Sequence, residues 1–121
     1  MRLNEIIERF RLISGFKMKE VSQWTPVIVD CRAFFESRVT DPDTLADEDI
    51  RRLEHACAVY AYYRISQIAQ MSDLGSFKVG DVQLNLRAVN EAAEKLWSGE
   101  RENISDLGDF SDGFSFKRVR V

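Results

Sequence analysis

The chain has 121 residues, of which 45% are hydrophobic and 31% are charged, and its formal net charge is -3. This length fits one domain, and the balance of apolar and charged residues is that of a globular protein rather than a disordered one. A dedicated nucleic-acid binder usually has a basic excess or a basic face, so the acidic balance argues against that class.

Neither a secretory signal peptide nor a run of about 18 apolar residues, the length of a membrane span, is visible. The sequence therefore predicts a chain that folds in a reducing cytoplasm. In that compartment both cysteines, Cys31 and Cys57, are expected to be free thiols.

The first predicted element is a helix over residues 4–14, followed by Gly15 at the position of a left-handed C-cap. Apolar residues recur on one face of this helix at three-to-four spacing: Leu3, Ile6, Ile7, Phe10 and Ile13.

The second helix is predicted to begin at Thr25, as N-cap, and Pro26, as first helical residue, and to run to about Arg38. Before it, residues 16–24 are predicted to form one short helical turn. Its inward residues are Val21 and Trp24, and those of the second helix are Ile28, Cys31, Phe34 and Phe35.

A turn is predicted at residues 40–43, because the residue before a proline leaves the helical region. The third helix is then predicted from a capping Asp47 to about Met71. One apolar stripe follows it: Ile50, Leu53, Cys57, Tyr60, Ile68 and Met71. Residues 56–63 are apolar or aromatic on every side, which is typical of a central helix with several neighbours.

After a break at Gly75, residues 77–86 alternate between apolar and polar, which indicates a strand interrupted by a Gly-Asp turn. A last helix begins between residues 85 and 90, with a kink or break expected at Gly99. Its predicted apolar face is Val89, Ala93, Leu96, Ile104 and Leu107, flanked by Trp97. After a turn at residues 108–113, residues 114–121 alternate again and are expected to pair with residues 77–86.

These elements predict a mainly α fold, a small helical bundle around a central apolar helix. A minor β-hairpin or extended segments are predicted near residues 77–86 and 114–121. The whole chain, 1–121, is predicted to be a single helical domain, in which segments 72–86 and 108–121 become ordered on assembly.

The sequence offers no set of residues for catalysis, for a metal or for a cofactor. His55 is the only histidine, and its neighbour Glu54 points elsewhere on a helix. A calcium loop begun at Asp41 fails, because Leu45 and Arg52 occupy positions that need oxygen ligands. The acids at residues 41–49 and 106–112 are explained as helix caps and solvated turns.

The order of motifs resembles the small head–tail connector proteins of tailed phages, also called adaptor or head-completion proteins, including prophage copies in Gram-positive bacteria. The motifs span nearly the whole chain and are compositional rather than diagnostic. They are Trp24, Glu36-Ser37-Arg38, Glu48-Asp49-Ile50-Arg51-Arg52-Leu53, an Ala/Tyr-rich central helix, Phe77-x-x-Gly80-Asp81-Val82, Ala92-Ala93-Glu94-Lys95-Leu96-Trp97 and an aromatic, basic end.

The resemblance implies a helical, non-enzymatic subunit that forms a ring beneath the portal and extends the DNA channel toward a stopper or tail-completion protein. The implied partners are other copies of the chain, the portal and that protein, with DNA only passing through. The implied location is the bacterial host cytoplasm during assembly and then the virion. The residues expected at interfaces are Phe77, Val79, Asp81, Val82, Phe114, Phe116, Lys117, Arg118 and Arg120.

Two other classes stay open at this stage. A small helical regulatory or DNA-binding protein is hinted at only by the pair Arg51 and Arg52, which acids surround. An enzyme with a site between subunits would depend on carboxylates such as Asp81, for which the sequence names no substrate.

Overall fold

The computed structural model describes residues 1–71, 78–79, 82–83 and 86–111. Four helices occupy most of that length: α1 (Leu3–Ser14), α2 (Met18–Arg38), α3 (Asp47–Met71) and α4 (Leu86–Asn103). A short 3-10 turn, Pro42–Thr44, lies between α2 and α3. The predicted mainly helical fold is therefore confirmed.

Helix α3 is the centre of the bundle and packs against α1, α2 and α4, while α1 also packs against α2. Its segment of residues 56–62 is buried on every side, with Tyr63 partly buried. The prediction of a central apolar helix is confirmed, because a helix surrounded by three others has no polar face to keep in water. The helix begins where the carbonyl of Ala46 accepts the N–H of Ile50 at 3.0 Å, so Asp47 lies in the first turn rather than at the cap.

Helix α1 follows its prediction closely. Ile6 and Phe10 are fully buried, and Leu3, Ile7 and Ile13 pack partly buried against the core. Gly15 ends the helix with φ 73°, and its N–H donates to the carbonyl of Arg11 at 2.8 Å.

Helix α2 corrects the prediction for Thr25 and Pro26. It begins at Met18 and runs without interruption through Pro26, so neither residue starts a helix. The hydroxyl of Thr25 donates to the carbonyl of Val21 at 3.0 Å, one turn back, instead of capping. The buried stripe Val21, Ile28, Cys31 and Phe35 continues across the proline, so burial outweighs the local start signal.

An aromatic cluster joins α2, α3 and α4. The ring of Phe35 lies 5.8 Å from those of Tyr60 and Trp97, and the rings of Tyr60 and Trp97 are 4.6 Å apart. Trp97 is thus a core residue, whereas Leu96 is 49% exposed, the reverse of the predicted arrangement. Leu96 and Trp97 both lie at a helical spacing from Val89, and the side chain of Trp97, which is the larger of the two, is the one that faces the core.

The predicted turn at residues 40–43 is present. Asp41 adopts the left-handed conformation with φ 53°, and its carbonyl accepts the N–H of Thr44 at 3.1 Å. At the start of the turn, Thr40 donates its N–H to the carbonyl of Leu107 at 2.9 Å, and the preceding residue, Val39, forms a β-bridge with Gly108. These contacts attach the chain after α4 to the end of α2.

The predicted β-hairpin or extended segments are not confirmed. Among the residues of that segment that the structure describes, two strands of two residues, β1 (Lys78–Val79) and β2 (Val82–Gln83), pair antiparallel. The predicted break at Gly75, segment 114–121 and its pairing with residues 77–86 lie outside the described residues. Of the segment that was predicted to begin at 108, residues 108–111 are described, and Phe110 packs 4.8 Å from Phe35 in the core.

A kink or break was predicted at Gly99, but helix α4 continues through this residue, so it does not break there. A Cβ at Gly99 would meet nothing within 4 Å. We therefore expect Gly99→Ala to stabilise the protein by about 0.5–1 kcal/mol, because alanine loses less backbone entropy in a helix. Urea unfolding followed by circular dichroism measures the change, and an unchanged or lower stability would contradict it.

Candidate functional site

The residues predicted at interfaces fall almost entirely outside the described part of the chain. The structure places the backbone of Val79 and Val82, which face each other across the β1–β2 pair. The others lie outside the described residues: Phe77, Asp81, Phe114, Phe116, Lys117, Arg118 and Arg120.

Both thiols lie in the core. Cys31 on α2 and Cys57 on α3 are fully buried and free. Burial raises the pKa of Cys31 to about 12 and that of Cys57 well above its ordinary value. Because the thiolate is the reactive form, these two groups are poor nucleophiles and behave as small apolar residues.

His55 has a partner that the sequence did not indicate. Its Nε2 lies 3.9 Å from Oε2 of Glu100 on α4, and the two side chains are 41% and 23% exposed. The expectation that neighbouring Glu54 points elsewhere holds, since Glu54 pairs with Arg2 instead. A contact across 45 positions of the chain leaves no local signal, so no sequence pattern predicted the His55–Glu100 pair.

Glu54 is a fully buried carboxylate in the first half of the central helix. Its Oε2 accepts the backbone N–H of Arg2 at 2.7 Å and the Arg2 Nε at 3.2 Å, and its Oε1 accepts Nη2 at 3.2 Å. The side chain of Arg2 remains 58% exposed. These hydrogen bonds connect Arg2, which immediately precedes α1, to helix α3.

Two opposing effects set the pKa of Glu54. Burial raises it, because the charged form loses its hydration, whereas the hydrogen bonds and positive charge of Arg2 lower it. The contribution of Arg2 outweighs burial, and the pKa of the Glu54 carboxyl lies below its ordinary value. Glu54 is thus ionised at neutral pH and serves the fold.

Arg52 connects the beginning of α3 to the end of α4. Its Nη1 donates to Oδ1 of Asp49 at 2.8 Å, and its Nη2 donates to Oδ1 of Asp106 at 2.9 Å and to the carbonyl of Asn103 at 2.6 Å. The hydrogen bond from Arg52 lowers the pKa of Asp106. Asp106 is therefore an ion-pair partner and not only the solvated turn acid that its spacing indicated.

An open cleft of about 530 Å³ lies beside this network, between α1, α3 and α4. Its lining residues are Arg9, Glu48, Arg51, Arg52, His55, Glu100, Asn103 and Ile104. We call this the arginine cleft. The lining has three arginines and two glutamates. It also includes the apolar side chain of Ile104, a core residue that is 1% exposed.

Among the described residues, no three His, Cys, Asp or Glu side chains lie together in a way that could hold a metal ion. No described helix combines the length and the apolar character needed to cross a membrane.

Comparison of the chain with protein-family models, with curated proteins and with solved structures finds no match. The resemblance to phage connector proteins therefore stays a prediction.

Proposed function

We propose that this chain is a structural assembly protein, a head–tail connector subunit of a tailed phage or prophage that binds other protein chains. In this proposal several copies form a ring between the portal and a stopper or tail-completion protein, and DNA passes through the ring. Residues 72–86 and 112–121 supply contacts between chains, and the protein is not an enzyme.

The observation that carries the proposal is the position of the motifs within the bundle. The run of residues 48–53 lies in the first two turns of α3, and the run of residues 92–97 lies within α4. Trp97 of the second run packs against Phe35 and Tyr60. These two motifs therefore each contribute residues to the helical core, Leu53 from the first run and Ala93 and Trp97 from the second.

The use of the titratable side chains also favours binding over catalysis. Glu54 is paired with Arg2, Cys31 and Cys57 are buried thiols of raised pKa, and Arg52 is held by two aspartates. Each of these groups has a structural partner or environment. Titratable side chains used in this way suit a subunit that works by binding other protein chains.

The DNA-binding alternative depended on Arg51 and Arg52. Arg52 donates to Asp49, Asp106 and the carbonyl of Asn103, so base or phosphate contacts would require breaking that network. The first turn of α3 carries Asp47, Glu48 and Asp49, which repel phosphates. These charges weigh against α3 as a recognition helix.

We expect purified full-length protein to form a ring of roughly a dozen copies, the closed assembly that a head-to-tail interface generates. Light scattering across a concentration series measures the mass, and negative-stain imaging shows the shape of the large species. A chain that stays monomeric up to millimolar concentration would contradict the ring.

A charge-reversal variant identifies the contact segment. Replacing Lys117, Arg118 and Arg120 by glutamate should abolish the ring and leave the helical circular dichroism spectrum unchanged. The matched control replaces three exposed cations of α4, namely Arg87, Lys95 and Arg101, by glutamate. Equal loss of assembly in both variants would mean that net charge, and not this segment, controls association.

A further inference from the structure

One short segment connects the end of α4 to the end of α2. In it, the carbonyl of Leu107 accepts the N–H of Thr40 at 2.9 Å, and Gly108 forms a β-bridge with Val39. Helices α2 and α4 themselves both pack on α3. We call residues 105–111 the clasp, because they close this end of the bundle from one helix to the other.

A hollow of about 390 Å³ separates the clasp from the last turns of α4. Both walls contribute to its lining: Arg101 and Glu102 from α4, and Ser105, Asp109 and Ser111 from the clasp. Two clasp side chains are buried, those of Leu107 and Phe110, and the ring of Phe110 lies 4.8 Å from that of Phe35. The clasp is thus held by two buried side chains and two backbone contacts, with open space beside α4.

The clasp also has hydrogen bonds of its own. Oδ1 of Asp109 accepts the N–H of Ser111 at 3.1 Å and its hydroxyl at 2.6 Å. The N–H of Leu107 donates to the carbonyl of Ile104, at the end of α4, at 2.9 Å. None of these bonds involves α2, so they remain when the clasp leaves the end of that helix, and its residues move together.

Arg52 connects the clasp to the central helix. Its Nη2 donates to Oδ1 of Asp106 in the clasp at 2.9 Å and to the carbonyl of Asn103 at 2.6 Å, while its Nη1 donates to Asp49 on α3 at 2.8 Å. The side chains of Arg52 and Asp106 are 40% and 63% exposed. Water and salt therefore compete for this ion pair, and it can break without exposing the core.

Contacts elsewhere in the bundle do not involve the clasp. The ring of Phe10 on α1 packs 5.5 Å from that of Phe16 and 6.4 Å from that of Tyr62 on α3. Glu54 on α3 is bound by Arg2. These contacts persist when the clasp opens, so the helices have a core that does not depend on it.

We propose that the clasp is a conformational device: residues 105–111 open as one unit while the helices stay folded, and Arg52 holds them closed. Opening breaks both backbone contacts with the end of α2 and moves Phe110 away from Phe35. It also changes the position from which the chain continues into residues 112–121, which the proposed function assigns to contacts between chains. The opening itself does not rest on that function.

Native-state hydrogen exchange of the full-length protein, followed by NMR at low urea concentrations, tests the opening. We expect the Thr40 amide to exchange about tenfold faster than the most protected amides of α3. Its rate should depend little on urea, because a local opening exposes little surface. Exchange of Thr40 that matches α3 in rate and in urea dependence would overturn the proposal, since only global unfolding would then break the contact.

Two carboxylates bound by the same arginine test its role. Asp106→Asn removes the charge on the clasp, and the matched control Asp49→Asn removes the charge on α3. We expect Asp106→Asn to speed exchange of the Thr40 amide by about threefold and Asp49→Asn by less than about twofold, with α3 amides unchanged in both. Equal acceleration by the two variants, or none by Asp106→Asn, would refute Arg52 as the residue that holds the clasp closed.

A substitution at the other end of the clasp tests whether it opens as one unit. Phe110→Leu weakens the contact with Phe35 and should speed exchange of the Thr40 amide by about threefold or more, without changing α3 amides. The matched control Phe10→Leu makes the same change away from the clasp and should lower the protection of α3 amides instead. A Thr40 amide that does not respond to Phe110→Leu would mean that the clasp residues open separately, which overturns the proposal.

Discussion

Replacing Glu54 with glutamine should destabilise the protein by about 1–3 kcal/mol at pH 7, the cost of turning charge-assisted hydrogen bonds into neutral ones. Glutamine has nearly the same shape, so the change creates no cavity. It removes the negative charge that lies against the Arg2 guanidinium, with Oε1 3.2 Å from Nη2. Because Glu54 is fully buried, water cannot replace the lost interaction.

The pH dependence of this effect has a definite sign. The pKa of Glu54 is lower in the folded protein than in the unfolded chain, so its ionised form contributes stability above the unfolded pKa of about 4.3. That contribution is lost as the pH falls through the folded pKa. We therefore expect the free energies of unfolding of wild type and Glu54→Gln to differ most at neutral pH and to converge as the pH falls below the unfolded pKa of about 4.3. Urea unfolding at several pH values measures both curves.

Substitution of Arg2 tests the same Arg2–Glu54 pair from its other partner. Arg2→Ala leaves Glu54 buried with only the backbone N–H of residue 2 as a donor, so the pKa of Glu54 should rise and stability at neutral pH should fall. The control Arg87→Ala breaks a 3.4 Å pair with Glu91, whose side chains are 82% and 62% exposed, and should change stability by less than about 0.5 kcal/mol. Equal effects of the two substitutions, or a Glu54→Gln effect independent of pH, would contradict the buried pair.

Local patterns predicted the helices that follow one uninterrupted period. Helix α1 ends at Gly15 as expected, because glycine adopts the left-handed conformation that closes the helix. The central position of α3 followed from its apolar run, since residues buried on every side need neighbours on every side. In both cases the information lies within a dozen consecutive residues.

The wrong predictions arose where distant contacts outweigh a local signal. Thr25 and Pro26 are a typical helix start, yet α2 runs through them because its buried stripe is continuous. Leu96 and Trp97 fit the helical period equally well, and the choice depends on the space beside Phe35 and Tyr60. That space is formed by three helices that are far apart in the chain, so a short stretch of sequence does not reveal it.

The arginine cleft could not be predicted for the same reason. It is formed by Arg9 on α1, by Arg51 and His55 on α3 and by Glu100 on α4, and the contributions of the three helices are separated by more than 40 residues in the chain. Pairing of Arg52 with Asp106 distinguishes a structural arginine from an available one, and that distinction depends on tertiary contacts alone. The sequence indicated where basic residues are, but not which of them remain unpaired.

Gly108→Ala should destabilise the protein by about 1–3 kcal/mol, the range expected when atoms are forced into a filled space. A Cβ at Gly108 would lie 2.3 Å from the carbonyl oxygen of Arg38 and 3.1 Å from the Cα of Val39. Both neighbours are backbone atoms, so no side-chain rotation relieves the clash. The chain after α4 must move away from α2, which breaks the Val39–Gly108 bridge and displaces Phe110 from its position 4.8 Å from Phe35.

The matched comparison is Gly99→Ala, the same chemical change nine residues earlier, where the expected effect has the opposite sign. Urea unfolding gives both free energies, and hydrogen exchange of the Thr40 amide reports the contact itself, because that amide donates to Leu107 at 2.9 Å. Gly108→Ala should speed this exchange and Gly99→Ala should not. If Gly108→Ala keeps full stability and protection, the close crossing of the two segments does not exist in solution. In that case the position of Phe110 in the aromatic core must be set by other contacts.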